Sequence, residues 1–466
     1  MSQIDFDALL RLLSFTPGEP MLFNSGLFLV LFLLFSAGYA LLSAQRAKAV
    51  RLLYVTAFSY YFYYKNAGAW CCLLAVITLV NYFCALRLDH TERPAARKAW
   101  LWLAVGFMLG QLAVFKYTDF AIGTWCDLTG EPRPDTPALP VLVGISFFTF
   151  QSMSYIIDVY RRQMPATRSL TDFAFFVSFF PTLLAGPILR ARTFLPQLQK
   201  PLCVTQQMLG TGTWFIIVGL FKKCVISDYI SVNFVSRIFD NPALYSGLEN
   251  LLGIYGYALQ LYCDFSGYSD MAIGIALWMG FEIPANFRAP YKSDSITDFW
   301  RRWHISLSSW LRDYLYISLG GNRKGRLRMY FNLFLTMLLG GLWHGASWNF
   351  VIWGSVHGFA LGVHKRFREL LGHDRHYQST GIRRFFAVLL TFHLVCFCWL
   401  FFAGTSFEAS MQMIGQICSN FNPQLLPQFL EGYPLVSALM VGGFVLHFLP
   451  TAWNGKAEIL AGRTPL

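Results

Sequence analysis

The chain has 466 residues, of which 55% are hydrophobic and 13% are charged, against roughly 25% charged residues in soluble globular proteins. Such a chain cannot bury its apolar surface in one soluble core, and an aromatic content of 17% excludes an intrinsically disordered protein. The net charge of +12 is distributed in short basic clusters between apolar runs, which is typical of cytoplasmic loops in a membrane protein and not of a nucleic-acid-binding surface. The composition therefore predicts an all-α, polytopic integral membrane protein.

The N-terminal and C-terminal segments differ from the rest of the chain. Residues 1–20 contain four charged side chains and are predicted to form an interfacial helix, as an N-terminal extension. Residues 21–455 are predicted to form the transmembrane domain, and residues 456–466 a C-terminal tail.

Apolar runs without Asp, Glu, Lys or Arg mark the candidate membrane spans, because a helix needs about 20 apolar residues to cross the hydrocarbon core. The longer runs are 21–45, 66–86, 99–115, 136–157, 173–189, 201–221, 329–364, 385–407 and 432–455. Together with the shorter run 52–64 and the segment 250–281, they predict about nine transmembrane helices and two re-entrant or half-membrane segments. The positive-inside rule places the basic clusters in the cytoplasm, but this scheme leaves Lys222 and Lys223 outside.

Two of these runs are not predicted to cross the membrane as simple helices. The run 173–189 has 17 residues, contains two prolines and a glycine, and has basic residues near both ends. The run 329–364 has 36 residues, a little short of the roughly 40 that two crossings require. Two glycines interrupt it, so we expect two short helices that meet inside the membrane at residues 340–346. Irregular backbone at that depth is tolerated only where protein or a water-filled cavity surrounds it.

Two carboxylates interrupt the apolar segment 250–281. Asp264 and Asp270 lie six positions apart, on different faces of a helix, and Ser266 lies between them. These side chains are expected either to form a packed polar network or to line a cavity, and the sequence does not decide between the two.

A polar and aromatic segment follows, from Ser295 to Tyr314. Ser295 and Asp298 have the spacing of a capping box that opens a helix. The pattern predicts an interfacial amphipathic helix with one apolar face, formed by Phe299, Trp303, Leu307, Trp310 and Tyr314. His304 lies one position from that face.

His344 lies at the predicted break between the two short helices, after Trp343 and before Gly345. An ionisable residue inside a membrane is costly and suggests a functional site. Burial favours the neutral imidazole, which can accept a proton from a hydroxyl group, so general-base catalysis suits this position. The alternative is a histidine that only stabilises the helix break.

Other kinds of chemistry have little support in the sequence. There is no nucleotide-binding, nucleophile-elbow or zinc-protease motif and no C-x-x-C pair. No metal site is expected, since His304 and His344 are 40 positions apart and no third ligand accompanies them. His357 is interpreted as a packing residue, and Gly354, Gly358 and Gly362 as positions of close helix packing.

Five motifs in order resemble the membrane-bound O-acyltransferase (MBOAT) family, in particular its alginate O-acetylation branch, over about residues 21–370. The motifs are Gly144-Ile-Ser-Phe-Phe-Thr-Phe-Gln151, Phe179-Phe-Pro181-x-x-x-Ala-Gly-Pro187, Asp264-Phe-Ser-Gly-Tyr-Ser-Asp270, the run from Phe287 to Gly325 with Asp298-Phe-Trp-Arg-Arg-Trp-His304-Ile-Ser-Leu-Ser and Leu319-Gly-Gly-Asn322-Arg-Lys, and Gly341-Leu-Trp-His344-Gly.

The resemblance implies a helical membrane enzyme with a central tunnel in which two histidines meet. By position, His344 would be the catalytic histidine and His304 the second one. The supporting or tunnel-lining candidates are Trp343, Asp313, Asp264, Ser266, Asp270 and Asn322, and we hypothesise that Asp313 or Asp270 orients an imidazole.

The implied reaction is transfer of an acetyl group from a cytoplasmic thioester, acetyl-CoA or another acyl thioester, toward a hydroxyl group of a secreted or cell-wall polysaccharide. No bound cofactor is expected. The expected partners are the cytoplasmic acyl donor, a periplasmic acetyltransferase, the polysaccharide as final acceptor and membrane lipid, and the expected location is the bacterial cytoplasmic (inner) membrane. D-alanyl transfer to teichoic acid and O-acetylation of peptidoglycan are alternatives within the family, and a glycolipid or solute transporter is the alternative from another class.

Overall fold

The computed structural model of the protein describes residues 6–44, 48–134, 139–140, 142–372, 377 and 379–463. These residues form helices and no β-strand, so the predicted all-α class is confirmed for the described part of the chain. The α-helices are α1 Phe6–Leu13, α2 Gly26–Ala44, α3 Lys48–Ala67, α4 Cys71–His90, α5 Pro94–Thr129, α6 Ile145–Tyr160, α7 Leu170–Ser178, α8 Phe180–Leu183, α9 Ala191–Gln199, α10 Gln206–Leu220, α11 Ser236–Asp240, α12 Gly247–Trp278, α13 Ile296–Arg302, α14 Ile305–Trp310, α15 Arg326–His344, α16 Trp348–Leu370, α17 Gly381–Ala403, α18 Phe407–Ser419, α19 Leu426–Gly432, α20 Pro434–Phe448 and α21 Thr451–Arg463.

These helices form two compact units. The first comprises the described residues up to Thr213 together with Met271–Pro284, and the second comprises Trp214–Asp270 and Ala285–Arg463. Between α10 and α11 the chain stays helical with wider, π-type turns over Phe221–Asp228 and Ser231–Val235. Both histidines of the proposed site belong to the second unit.

The centre of the first unit is aromatic. The ring of Phe180 lies 5.0 Å from that of Phe58, 5.4 Å from that of Phe35 and 6.0 Å from that of Phe62, measured between centroids. Phe180 opens the short helix α8, and α7 and α8 together cover most of the predicted re-entrant run 173–189. Their irregular backbone is surrounded by protein, as such backbone must be in a membrane.

The N-terminal segment lies against the end of α3 in the first unit. The ammonium group of Lys65 donates to the backbone carbonyl of Leu12 at 3.0 Å, and the hydroxyl of Tyr61 donates to that of Leu13 at 3.1 Å. Of the predicted interfacial helix over residues 1–20, the structure describes residues 6–20, and α1 occupies only the first part of these. At the other end, α21 covers most of the predicted tail 456–466.

The second unit is built around the hairpin of α15 and α16. A Cβ atom on Gly341 would lie 2.3 Å from the carbonyl oxygen of Phe350, and one on Gly354 would lie 2.5 Å from that of Met337. The two helices can approach this closely only because these positions carry no side chain, as expected for small residues at helix contacts. The predicted close packing is confirmed for Gly354 and also for Gly358, whose Cβ would lie 3.0 Å from the Cα of Phe334.

The predicted count of about nine membrane spans is not confirmed. Within the described part of the chain, four helical stretches are long and apolar enough to cross a membrane, namely Gly26–Ser43, Lys48–His90, Pro94–Thr129 and Gly381–Ala403. A fifth would be the pair Pro423–Gly432 and Pro434–Phe448, which is bent by 103°. Length and hydropathy do not identify α12 as a span, since it carries three acidic residues, although all of its residues are buried or half-buried.

Candidate active site

His344 is the last residue of α15. Gly345 follows in an extended conformation, with φ −161° and ψ 154°, and α16 begins three residues later at Trp348. A Cβ atom on Gly345 would lie 1.9 Å from the ring of Phe350, so any larger residue here would displace that ring. The helix break is therefore at 345–347, which overlaps only the end of the predicted range 340–346, and Gly340 and Gly341, which were expected to interrupt the helix, lie inside α15. The two helices are longer than expected, with 19 and 23 residues, because their basic ends are also helical.

His304 lies at a break that the sequence did not predict. The expected continuous helix from Ser295 to Tyr314 was wrong, because α13 ends at Arg302 and α14 begins at Ile305. His304 separates them in the left-handed conformation, with φ 43° and ψ 56°, which costs free energy for any residue except glycine. Its side chain is fully buried.

Two structural details of the same segment agree with the predictions made from its sequence. The hydroxyl of Ser295 accepts a hydrogen bond from the backbone N–H of Asp298 at 3.3 Å, so the predicted N-terminal cap of α13 is confirmed. All five residues of the predicted apolar face are buried, at 5% exposure or less. They lie in the protein core, however, and not at a membrane surface, so the interpretation as an interfacial helix was wrong.

The two histidines meet in the second unit. The centroids of their imidazole rings are 6.4 Å apart. Trp343 lies beside both, with its ring centroid 4.9 Å from that of His344 and 6.1 Å from that of His304. His304 is fully buried, whereas His344 is only half-buried. His344 is therefore the more accessible of the two to an incoming molecule.

Aromatic rings enclose both imidazoles. Phe265 meets His304 edge to face at 4.6 Å, while Trp353 and Phe402 meet His344 at 5.1 and 5.2 Å. This surrounding limits the access of water, and it strengthens electrostatic interactions within the site. Among these rings, the sequence reasoning identified only Trp343.

His357 belongs to the same aromatic cluster. Its ring centroid lies 4.7 Å from that of Trp353, and its Nδ1 accepts a hydrogen bond from the indole N–H of Trp300 at 3.3 Å. It is fully buried. These contacts are those of a packing residue, as the sequence suggested.

The motif from Asp264 to Asp270 lies on α12, and its two carboxylates form ion pairs. Lys222 binds Asp270 with 2.6 Å between Nζ and Oδ2, and Lys223 binds Asp264 with 2.6 Å between Nζ and Oδ1. The pair of Lys222 with Asp270 is largely buried and fits the packed-network alternative, whereas the side chain of Asp264 is 44% exposed. Each of the two lysines that the predicted orientation left outside thus faces a carboxylate. Ser266 is buried on the same helix.

Two further candidates lie in the segment that follows α14. Asp313 accepts a hydrogen bond from the Nε of Arg312 at 2.7 Å. Asn322 is exposed in the loop before α15, where its side-chain oxygen accepts hydrogen bonds from the hydroxyl of Tyr316 and, at 3.5 Å, from Lys365.

Sequence reasoning missed Asn286, which forms hydrogen bonds with the two residues that follow His304. Its backbone carbonyl accepts from the N–H of Ile305 at 2.9 Å, and its side-chain oxygen accepts from the N–H of Ser306 at 3.1 Å. The only signal in the sequence is a polar residue between Pro284 and Pro290. That signal does not indicate a role without the fold.

The second unit also contains an apolar cavity of about 190 Å³ between α12, α17 and α18. The hydroxyl of Tyr255 and Nε2 of His393, 2.9 Å apart, form a polar contact at its wall. Its lining includes neither His304 nor His344. Among the residues that the structure describes, no group of three or more His, Cys, Asp or Glu side chains has a geometry that could hold a metal ion.

Comparison with known proteins gives the same family that the sequence motifs resemble. The family model described as "MBOAT, membrane-bound O-acyltransferase family" matches residues 158–402. The chain is 42% identical over 456 residues to the "Probable alginate O-acetylase AlgI" of Pseudomonas putida, with 96% of this chain and 89% of the relative covered. It is 36% identical to the "Peptidoglycan O-acetyltransferase" of Helicobacter pylori, with 84% and 79% covered, and 33% identical to the "Teichoic acid D-alanyltransferase" of Bacillus subtilis, with 60% and 73% covered.

Proposed function

Because the chain belongs to the membrane-bound O-acyltransferase family, and is therefore a multi-pass membrane acyltransferase, we propose that it transfers an acetyl group from a cytoplasmic acyl thioester toward a hydroxyl group of a secreted or cell-wall polysaccharide. The observation that carries this proposal is the approach of His304 and His344 to 6.4 Å between ring centroids. Two imidazoles from distant parts of the chain, enclosed by aromatic rings, suit proton transfer in a site with little water.

In the proposed reaction His344 is the general base. Its neutral imidazole accepts the proton of the acceptor hydroxyl while the hydroxyl oxygen attacks the thioester carbonyl carbon. The C–S bond then breaks, the acetyl ester forms, and the departing thiolate takes the proton from the imidazolium of His344, which regenerates the neutral base. The position of His344 supports this role, because the C-terminal end of a helix carries partial negative charge and stabilises the imidazolium that forms.

His304 has a different environment and so a different proposed role. It is fully buried and fixed by its backbone turn, whereas His344 is half-buried. We propose that a ring N–H of His304 stabilises the negative charge that develops on the carbonyl oxygen, as donors held in place do in other acyl transfers. The surrounding aromatic rings would protect the thioester from hydrolysis.

The proposed identities of the acyl group and of the acceptor are inferred from the sequence similarity to relatives. A relative named as an alginate O-acetylase is similar across 96% of this chain, whereas the D-alanyltransferase is similar across 60%. This difference favours acetyl transfer and a donor such as acetyl-CoA over D-alanyl transfer from a carrier protein. We propose the bacterial inner membrane as the location, and a periplasmic acetyltransferase as the partner that completes transfer to the polysaccharide. Peptidoglycan is the second candidate acceptor, supported by the 36% identity to a peptidoglycan O-acetyltransferase.

The test compares the O-acetyl content of the secreted polysaccharide and of peptidoglycan between cells with the wild-type protein and cells with His344→Ala at equal membrane levels. His393→Ala is the matched control, since it removes a histidine outside the site. Loss of acetyl groups from one polymer in the His344 variant alone would support the proposal and identify the acceptor. Unchanged O-acetylation of both polymers would overturn it, and a loss of D-alanyl esters instead would indicate the D-alanyl branch.

A further inference from the structure

The turn at His304 is held by a second loop of the same unit, over residues 286–290. Beyond the two bonds to Ile305 and Ser306, the side-chain oxygen of Asn286 accepts a third from the hydroxyl of Ser306 at 2.9 Å. The backbone N–H of Arg288 donates to the carbonyl of Arg302 at 3.0 Å. Four hydrogen bonds therefore connect this loop to the residues immediately before and after His304.

Asn286 makes three of these four bonds, and its side chain is 1% exposed. Its amide nitrogen lies 3.4 Å from the hydroxyl of Ser269, to which it donates. Ser269 lies one helical turn after Phe265 on α12, and Phe265 packs on the ring of His304 at 4.6 Å. One face of α12 thus contacts both Asn286 and the imidazole.

The backbone of His304 needs such support. A left-handed residue other than glycine costs roughly 1–2 kcal/mol and persists only where the surroundings fix it. The local sequence favours a continuous helix, because the apolar residues from Phe299 to Tyr314 have helical spacing. Without the bonds to Asn286, the relaxed state of this segment would be a helix that continues through residue 304 and turns the imidazole in another direction.

We propose that Asn286 is a positioning residue, which holds the left-handed turn and so keeps the imidazole of His304 facing His344. This inference rests on the proposed function, because it assigns Asn286 a role only through His304. Ser306 takes part through its backbone and hydroxyl groups. Asn286 itself need not touch the acetyl group.

The first experiment measures the initial rate of polymer O-acetylation per folded membrane protein. Asn286→Ala should lower it by about tenfold to a hundredfold, the effect of a misplaced catalytic group. Asn286→Asp should retain most of the rate, because a neutral carboxylic acid can still accept from Ser306 and donate to Ser269. Asn250→Ala is the matched control, since Asn250 is also fully buried and also hydrogen-bonded, in its case to backbone carbonyls near its own helix end.

A double-mutant cycle separates positioning from a general loss of structure. In the His304→Ala background, Asn286→Ala should cause no further fall in rate, because the group it positions is already gone. Multiplicative losses would overturn the proposal, and so would an Asn286→Ala rate equal to that of Asn250→Ala. If instead His304→Ala and His344→Ala both acetylate at the wild-type rate, the proposed function fails and this inference fails with it.

A second measurement does not depend on activity. Glycine adopts the left-handed conformation without strain, so in a His304→Gly protein the turn needs less support. Asn286→Ala should therefore lower the melting temperature less in the His304→Gly protein than in the wild type. An equal decrease in both backgrounds would show that Asn286 does not support this turn.

Discussion

The indole N–H of Trp300 donates a hydrogen bond to Nδ1 of His357 across 3.3 Å, between two buried side chains. A ring nitrogen that accepts a hydrogen bond carries no proton, so this contact assigns the neutral tautomer with the proton on Nε2. His357 is thereby hydrogen-bonded to a neighbour on α13.

His357→Phe should separate packing from chemistry. The phenyl ring keeps most of the contact with Trp353 but leaves the Trp300 N–H buried without an acceptor, so the free energy of unfolding should fall by about 1–3 kcal/mol. O-acetylation per folded protein should stay within about threefold of the wild type, since His357 packs beside the site and has no part in the proposed proton transfer. Thermal unfolding and polymer O-acetyl content measure the two effects. A loss of acetylation as large as that of His344→Ala would show that His357 takes part in the reaction.

At position 304 the glycine variant should be more stable than the alanine variant, which is the reverse of the usual order inside a helix. Both His304→Ala and His304→Gly remove the imidazole and should lower O-acetylation by about a hundredfold to a thousandfold, as the loss of one oxyanion donor does. The glycine variant should nevertheless be more stable by about 1 kcal/mol, because it relieves the left-handed strain. At Ser355, inside α16, the glycine variant should be the less stable of the two by a similar amount. Melting temperatures of the four proteins provide the comparison, and the same order at both positions would contradict the strain at His304.

Breaking the ion pair between Lys222 and Asp270 should destabilise the second unit. Asp270→Asn leaves the ammonium group of Lys222 without its charged partner in a largely buried position, which should cost about 1–3 kcal/mol, less than the roughly 3–5 kcal/mol of a fully buried pair. The double variant Lys222→Met with Asp270→Asn should recover part of that loss. Glu369→Gln is the control, because its pair with Arg366 is more exposed and 3.8 Å long. Equal effects in the two single variants would argue against a structural role for the α12 pair.

The contact between α15 and α16 predicts a strong effect of a single methyl group. Gly354→Ala places a Cβ atom against the backbone of Met337, which cannot move without separating the helices, and should destabilise the protein by about 1–3 kcal/mol. Gly442→Ala, on α20, meets no atom within 4 Å and should be neutral or slightly stabilising. The two melting temperatures test this. A neutral Gly354→Ala would mean that the helices are less closely packed than the structure shows.

The break at His344 could be predicted from sequence because its causes are local. An apolar run of this length with basic residues at both ends predicts a break near its middle, although Gly340 and Gly341, which suggested the position, are themselves helical. The break at His304 could not be predicted in this way, because the residues around it have helical spacing and the interaction that interrupts the helix comes from Asn286, 18 positions earlier. The same limitation applies to Phe265, whose role depends on the packing of α12 against the turn.

The ion pairs of α12 show a second limit of prediction from the sequence. The carboxylates of Asp264 and Asp270 were visible as polar residues in an apolar segment, but their partners could not be identified from spacing alone. Lys222 and Lys223 looked like errors in the predicted orientation until the structure placed each beside a carboxylate. A hydropathy count treats such helices as too polar to cross a membrane, although their charges are satisfied within the protein.

The length of α15 sets a requirement for the delivery of the acyl group. The helix has 19 residues from Arg326 to His344, so at 1.5 Å per residue its axis measures about 28 Å. That length is close to the roughly 30 Å of a hydrocarbon core. A donor that docks at the basic end of this helix therefore needs a long flexible arm, or a recess of comparable depth in the protein surface, before its carbonyl carbon can reach the imidazole at the other end.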